Sequence, residues 1–166
     1  MRWPRRATKI PDDARAALGL APGERVLAAA RPTDGSWLVA TDRGLVAPGV
    51  RLDWSSITHA QWYDEETALS VASVDDTGAV GEQTFHVADP GLLPETVHER
   101  VVATILLSRH LPVAGRRGVR VVARRQPGSD ELVWQVVPDP GIDPNDPQVS
   151  ARVRAAVQQM RTELGG

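Results

Sequence analysis

Apolar and polar positions alternate with a period near two from Glu24 to Val87, and turn signals break the alternation every several residues. The pattern predicts strands at residues 24–30, 37–41, 45–47, 50–54, 57–63, 68–74 and 83–87. Asp34-Gly35, Asp42-Arg43-Gly44, Pro48-Gly49 and Asp64-Glu65-Glu66 supply turns between them. The period then changes. Val97, Val101 and Ile105 recur every four residues, and Val102 and Leu106 widen the stripe, so residues 92–109 are predicted to form one helix. Pro94 suits its first turn, Pro112 lies beyond its end, and Val101 and Ile105 should be buried against the sheet.

Residues 114–118 read as a boundary, and a smaller unit is expected after it. Residues 119–125 and 132–137 are predicted strands of a hairpin around Pro127-Gly128. Asp146 and Pro147 open a last helix whose stripe is Val149, Val153, Ala156, Val157, Met160 and Leu164. Apolar residues lie on both faces of the hairpin, and an isolated hairpin is marginal in water. The hairpin and helix must therefore pack on each other, on the first unit or on a second copy of the chain, and the unit is expected to extend the first sheet or build a homodimer. Ahead of the strands, residues 12–18 suit two helical turns, with Asp12 as cap and Gly19 as stop. Residues 1–10 read as a basic arm around Trp3. The expected division is an arm and short helix at 1–19, a domain at 20–113 and a strand–strand–helix unit at 114–166.

Composition narrows the function classes. Of the 166 residues 42% are hydrophobic and 24% charged, which is globular. Net charge is −2, so no global attraction to nucleic acid or anionic membrane is expected. Cysteine is absent, which removes disulfides and thiolate chemistry and fits a cytoplasmic protein. The basic N-terminus lacks an apolar stretch behind it, so no secretory signal is expected, and no run reaches the roughly 20 apolar residues of a membrane span. Basic charge is carried by 18 Arg against the single Lys9.

The stretch Val39-Ala40-Thr41-Asp42-Arg43-Gly44-Leu45-Val46, followed by Leu52-Asp53-Trp54-Ser55-Ser56-Ile57, resembles the bacterial pleckstrin-homology-like domains over roughly residues 20–111. The resemblance implies an α+β fold: a PH-like curled antiparallel sheet of about seven strands capped by a helix, here followed by a C-terminal β-hairpin and helix. It implies a binding scaffold without a fixed ligand. Within that fold Gly44 should take positive φ in a hairpin, Thr41 and Asp42 should bond the turn, and Trp54 and Ile57 should anchor the core.

Catalytic chemistry finds little to work with, and the chain reads as not an enzyme. His59, His86, His98 and His110 have no metal-ligand spacing, and no phosphate loop or nucleophile elbow occurs. Asp139, Asp143 and Asp146 read as turn and cap residues rather than cation ligands. No metal, cofactor or catalytic residue is assigned. A phosphoinositide headgroup needs converging cations, and the first hairpin loop offers Arg31 against Asp34, so this ligand is not expected. The candidate partner-binding residues are Arg116, Arg117, Arg120, Arg124, Arg125 and Trp134, with Arg120, Val122 and Arg124 on one strand face and Trp134 and Gln135 opposite. The expected function is non-enzymatic binding or scaffolding, through a protein partner or a homodimer. A nucleic-acid binder using the Arg strand is the first rival, and an enzyme with an unrecognised site the second.

Overall fold

The computed structural model describes residues 9–75, 77 and 79–165, so most of the expected basic arm lies outside the described residues. Helix α1 (Asp12–Ala17) leads into β1 (Val26–Ala30), β2 (Leu38–Thr41), β3 (Gly44–Ala47) and β4 (Val50–Asp53). A 3-10 turn (Trp54–Ser56) passes the chain to β5 (Ile57–Tyr63), β6 (Ala68–Val74) and β7 (Val80–His86). Helix α2 (Leu93–Ala103), strands β8 (Ile105–Ala114), β9 (Arg117–Arg125) and β10 (Leu132–Pro138) and helix α3 (Pro147–Glu163) complete it. The fold is α+β, with antiparallel sheets β1-β2-β3-β4, β5-β6-β7 and β10-β9-β8 among the described residues. Contacts divide the chain into Met1–Ala103 and Thr104–Gly166.

In the first unit α2 packs on β1 and β2 of one sheet and on β5 of the other. Leu93, Val97 and Val101 on α2 join Leu38, Leu45, Trp54, Ile57, Leu69 and Val71 in one core. Trp54 and Ile57 are fully buried, as their place in the sequence suggests. The Trp54 indole N–H donates to the Thr41 carbonyl at 3.0 Å. Thr41 Oγ1 accepts from the Arg43 and Gly44 amides and so binds the turn, whereas the Asp42 carboxylate accepts from the Arg25 amide ahead of β1 at 2.9 Å and ties the turn to that strand instead. Gly44 corrects the expectation of positive φ. What it provides is space, because a Cβ there would sit 2.3 Å from the Leu52 carbonyl oxygen of the paired strand β4. A smaller cluster, Ile10, Ala14, Val26 and Val39, seats α1. That helix has no side-chain cap: Pro11 precedes it, and Asp12 lies inside its first turn.

The largest difference from the sequence pattern falls at residues 104–109. The helix stops at Ala103, and Ile105–Ala114 is a strand paired with β9. Val101 is buried as expected, but Ile105 is 37% exposed. Ile105-Leu106-Leu107 is an apolar run that fits either period, and its β-branched first residue favours the strand once β9 is there to pair with. Pro112 therefore ends no helix. It sits in an edge strand beside a register shift between Pro112 and Ala114, where proline is tolerated. The segment 114–118, expected as a boundary, is the hairpin joining β8 to β9. Among the described residues the second unit has three strands and a helix rather than two and a helix. Asp146 caps α3 as expected, accepting from the Gln148 and Val149 amides.

Candidate functional site

Strand β9 is the middle strand of the second unit's sheet, and its alternation sorts the candidate arginines. Val119, Val121 and Ala123 point to one face and are fully buried. Arg109 opposes Val121 and Trp134 opposes Ala123 on that same face. Arg109 makes a two-oxygen ion pair with Glu163 of α3 at 2.8 and 2.9 Å, and the Arg161 guanidinium lies 5.7 Å from the Trp134 ring centre. Helix α3 therefore covers this face, with Val149, Ala156 and Met160 buried. Arg152 of α3 also bonds the Pro112 carbonyl.

Arg120, Val122 and Arg124 share the other face, as the strand period requires, but their environments differ. Arg120 is exposed and donates to Ser108 Oγ at 3.2 Å. Arg124 is only 4% exposed. Its Nε donates to Gln135 Oε1 at 2.8 Å and its NH1 to Thr104 Oγ1 at 2.9 Å, while burial pulls its pKa down. Arg124 thus corrects the candidate set: it is held inside the unit and is not offered at the surface. Trp134 stands on the opposite face from Arg120 and Arg124. It lies on the α3 face, half-buried, and its cation is Arg161 rather than a strand arginine.

Arg116, Arg117, Arg120 and Arg125 are exposed. They form no compact cradle, because Arg117 and Arg125 stand at opposite ends of β9, about 26 Å apart at the usual rise per strand residue. Near its start, Asp139 accepts from His110 Nε2 at 2.9 Å and from the Gly118 amide at 2.7 Å. These two bonds, with the His110 and Arg120 charges behind them, hold the Asp139 carboxyl below its ordinary pKa. Beside Arg120, its β10 partner Val137 is 47% exposed. The α3 arginines 152, 154 and 161 were not among the sequence candidates. Their only signal was their position off the apolar stripe.

The three linker carboxylates have separate duties. Asp139 holds β8 and β9, Asp143 accepts from the Asn145 amide, and Asp146 caps α3. Among the described residues no three His, Cys, Asp or Glu side chains gather as metal ligands. In the first unit a cleft of about 280 Å³ opens beside the β1–β2 loop, lined by Thr33, Asp34, Ser36, Thr84 and His86 among others. Arg31 is stacked on Trp37, 4.6 Å from its ring centre. Asp34 accepts from the Ser36 hydroxyl and amide, which lowers its pKa. No helix among the described residues is long and apolar enough to cross a membrane. No family model matches the chain, and neither does a curated protein or a solved structure.

Proposed function

We propose that this chain is a non-enzymatic binding or scaffolding module of the cytoplasm, with a PH-like first unit and a protein-binding surface on the second. The PH-like reading draws on seven strands in sheets of four and three, followed by a helix that touches both sheets. The turn at Thr41 to Gly44 and the buried Trp54 and Ile57 are the residues that carry the resemblance.

The partner reading is carried by one juxtaposition: exposed Arg120 directly beside exposed Val137, in a unit with nine arginines against six acidic side chains. The first unit has the opposite balance, ten basic against fifteen acidic. An arginine next to an exposed aliphatic side chain suits an acidic protein surface with apolar contacts of its own. A nucleic acid favours a continuous cationic track, and Val137 and Asp139 interrupt this one. Nucleic acid therefore stays the rival, and a phosphoinositide is not assigned.

The test is a fluorescence-anisotropy titration of the full chain with a glutamate–tyrosine copolymer and, separately, with duplex DNA. Preferential copolymer binding, weakened at least tenfold by Arg120→Glu with Val137→Asp, is expected. Tighter binding to DNA, with a steep loss on adding salt, would transfer the surface to the rival.

A further inference from the structure

Strand β7 is an edge strand. Among the described residues it pairs only with β6, over seven consecutive positions from Ala68–His86 to Val74–Val80 without a register shift. In an antiparallel pair, residues turned toward the neighbour alternate with residues turned away. Three bonds fix which are which. The Val87 amide donates to Thr67 and the Ala79 carbonyl accepts from Asp75, both in the β6 register, so positions 79, 81, 83, 85 and 87 turn toward β6. The His86 carbonyl turns the other way and accepts from the Thr33 amide at 3.0 Å. Val80, Glu82 and Thr84 therefore present their backbone N–H and C=O groups along the outer edge.

From Val80 to Thr84 this edge lacks most of the usual devices against pairing, while at its far end the β1–β2 loop caps the His86 carbonyl through Thr33. It has no lysine, no proline and no bulge, and its one charged side chain, Glu82, accepts from Ser70 Oγ within the sheet. Val80 is 75% exposed. From this we infer that β7 pairs with β7 of a second copy of the chain, joining the two three-stranded sheets into one. The inference stands on the first unit alone and needs nothing of the second unit's surface.

The sequence of β7 complements itself in one register. Two antiparallel copies related by a two-fold axis place one residue opposite itself. With Gln83 at the centre, Glu82 meets Thr84 and Gly81 meets Phe85, and the pairing ends before His86, whose outward carbonyl is held by the Thr33 amide. The outward residues 82 and 84 then exchange four backbone hydrogen bonds across the axis, and the half-exposed Phe85 ring covers the bare Gly81. Centring on Glu82 would set two carboxylates face to face. A centre nearer either end leaves fewer residues paired.

The chain has no cysteine, so single cysteines report the register without background. In the full chain two Gln83→Cys residues would face each other within disulfide reach, whereas two Val80→Cys residues would be roughly 20 Å apart. Light scattering of the native chain is expected to give twice the monomer mass, and mild oxidation to cross-link Gln83→Cys but not Val80→Cys. Thr84→Glu, set opposite Glu82, should weaken the dimer at least tenfold, and Thr84→Lys should tighten it. Thr84→Pro removes an outward N–H that the monomer does not use and should leave a folded monomer. A native chain that stays monomeric to its solubility limit overturns the inference. So does equal cross-linking at 80 and 83. A dimer that survives Thr84→Pro but is lost in Arg120→Glu also overturns it and assigns self-association to the second unit; if Thr84→Pro fails to fold, the two cysteine variants decide.

Discussion

Arg124 and Gln135 lie diagonally across β9 and β10, both nearly excluded from solvent, with the Arg124 Nε–H directed at Gln135 Oε1 over 2.8 Å. A guanidinium keeps its charge even where burial lowers its pKa, so its hydrogen bonds hold a buried charge in place. Arg124→Ala is expected to cost about 2–4 kcal/mol, the range for breaking a buried polar network. Arg120→Ala, at an exposed site on the same face, should stay within about 0.5 kcal/mol. Urea denaturation of both variants checks the contrast, and equal losses would show that the two arginines have one role.

Val101 and Ile105 were equivalent in the sequence and are not in the fold. Val101→Asp forces a carboxylate into the core of the first unit and should cost more than about 3 kcal/mol or prevent folding. Ile105→Asp, in a strand and 37% exposed, should cost under about 1.5 kcal/mol. A thermal melt of each separates the helix that ends at Ala103 from one continuing to residue 109.

That pair also marks what was legible. Strands β5 and β6 were readable to the residue, because alternation and turn residues agree there, and α3 was readable from its cap and stripe. Residues 104–109 were not, because the apolar run Ile105-Leu106-Leu107 carries no period of its own and pairing with β9 decides it. The candidate arginines were half legible. Strand period put Arg120 and Arg124 on one face, but only the tertiary partners Thr104 and Gln135 tell the buried one from the exposed one. The Arg161 neighbour of Trp134 was not legible, because α3, distant in sequence, supplies that cation.

Gly44 gives a third test. Gly44→Ala puts a methyl group 2.3 Å from the Leu52 carbonyl oxygen, and backbone must move to admit it. A loss of about 2–4 kcal/mol is expected. Gly49→Ala, where φ is +69° and the space is open, should cost only about 1 kcal/mol. The order of the two denaturation midpoints is the readout.

Asp139 sets an acid dependence of known sign. Its pKa is lower folded than unfolded, chiefly through the His110 hydrogen bond and then the Gly118 amide. The stabilisation is therefore present above the unfolded carboxylate value and is lost as pH falls through the folded one. Asp139→Asn, which cannot ionise, should lower the urea midpoint at pH 7 and flatten its fall as pH drops through and below the ordinary carboxylate range. A wild-type slope in the variant would mean that the acid dependence comes from other carboxylates.

The first hairpin loop bears on lipid binding. A phosphoinositide headgroup needs cations that converge and are free to turn toward it. Arg31 is instead laid on the Trp37 ring, and the cleft beside the loop is lined by Asp34. The Ser36 hydroxyl and amide favour the ionised form of that carboxylate, so a phosphate entering the cleft meets a negative charge at neutral pH. In liposome sedimentation the full chain is expected to show no preference among phosphoinositides over an anionic control lipid at equal charge. Asp34→Asn removes the repulsion and should raise binding, if at all, equally for every anionic headgroup. Saturable binding to one phosphoinositide, abolished by Arg31→Ala, would instead make this loop a headgroup site.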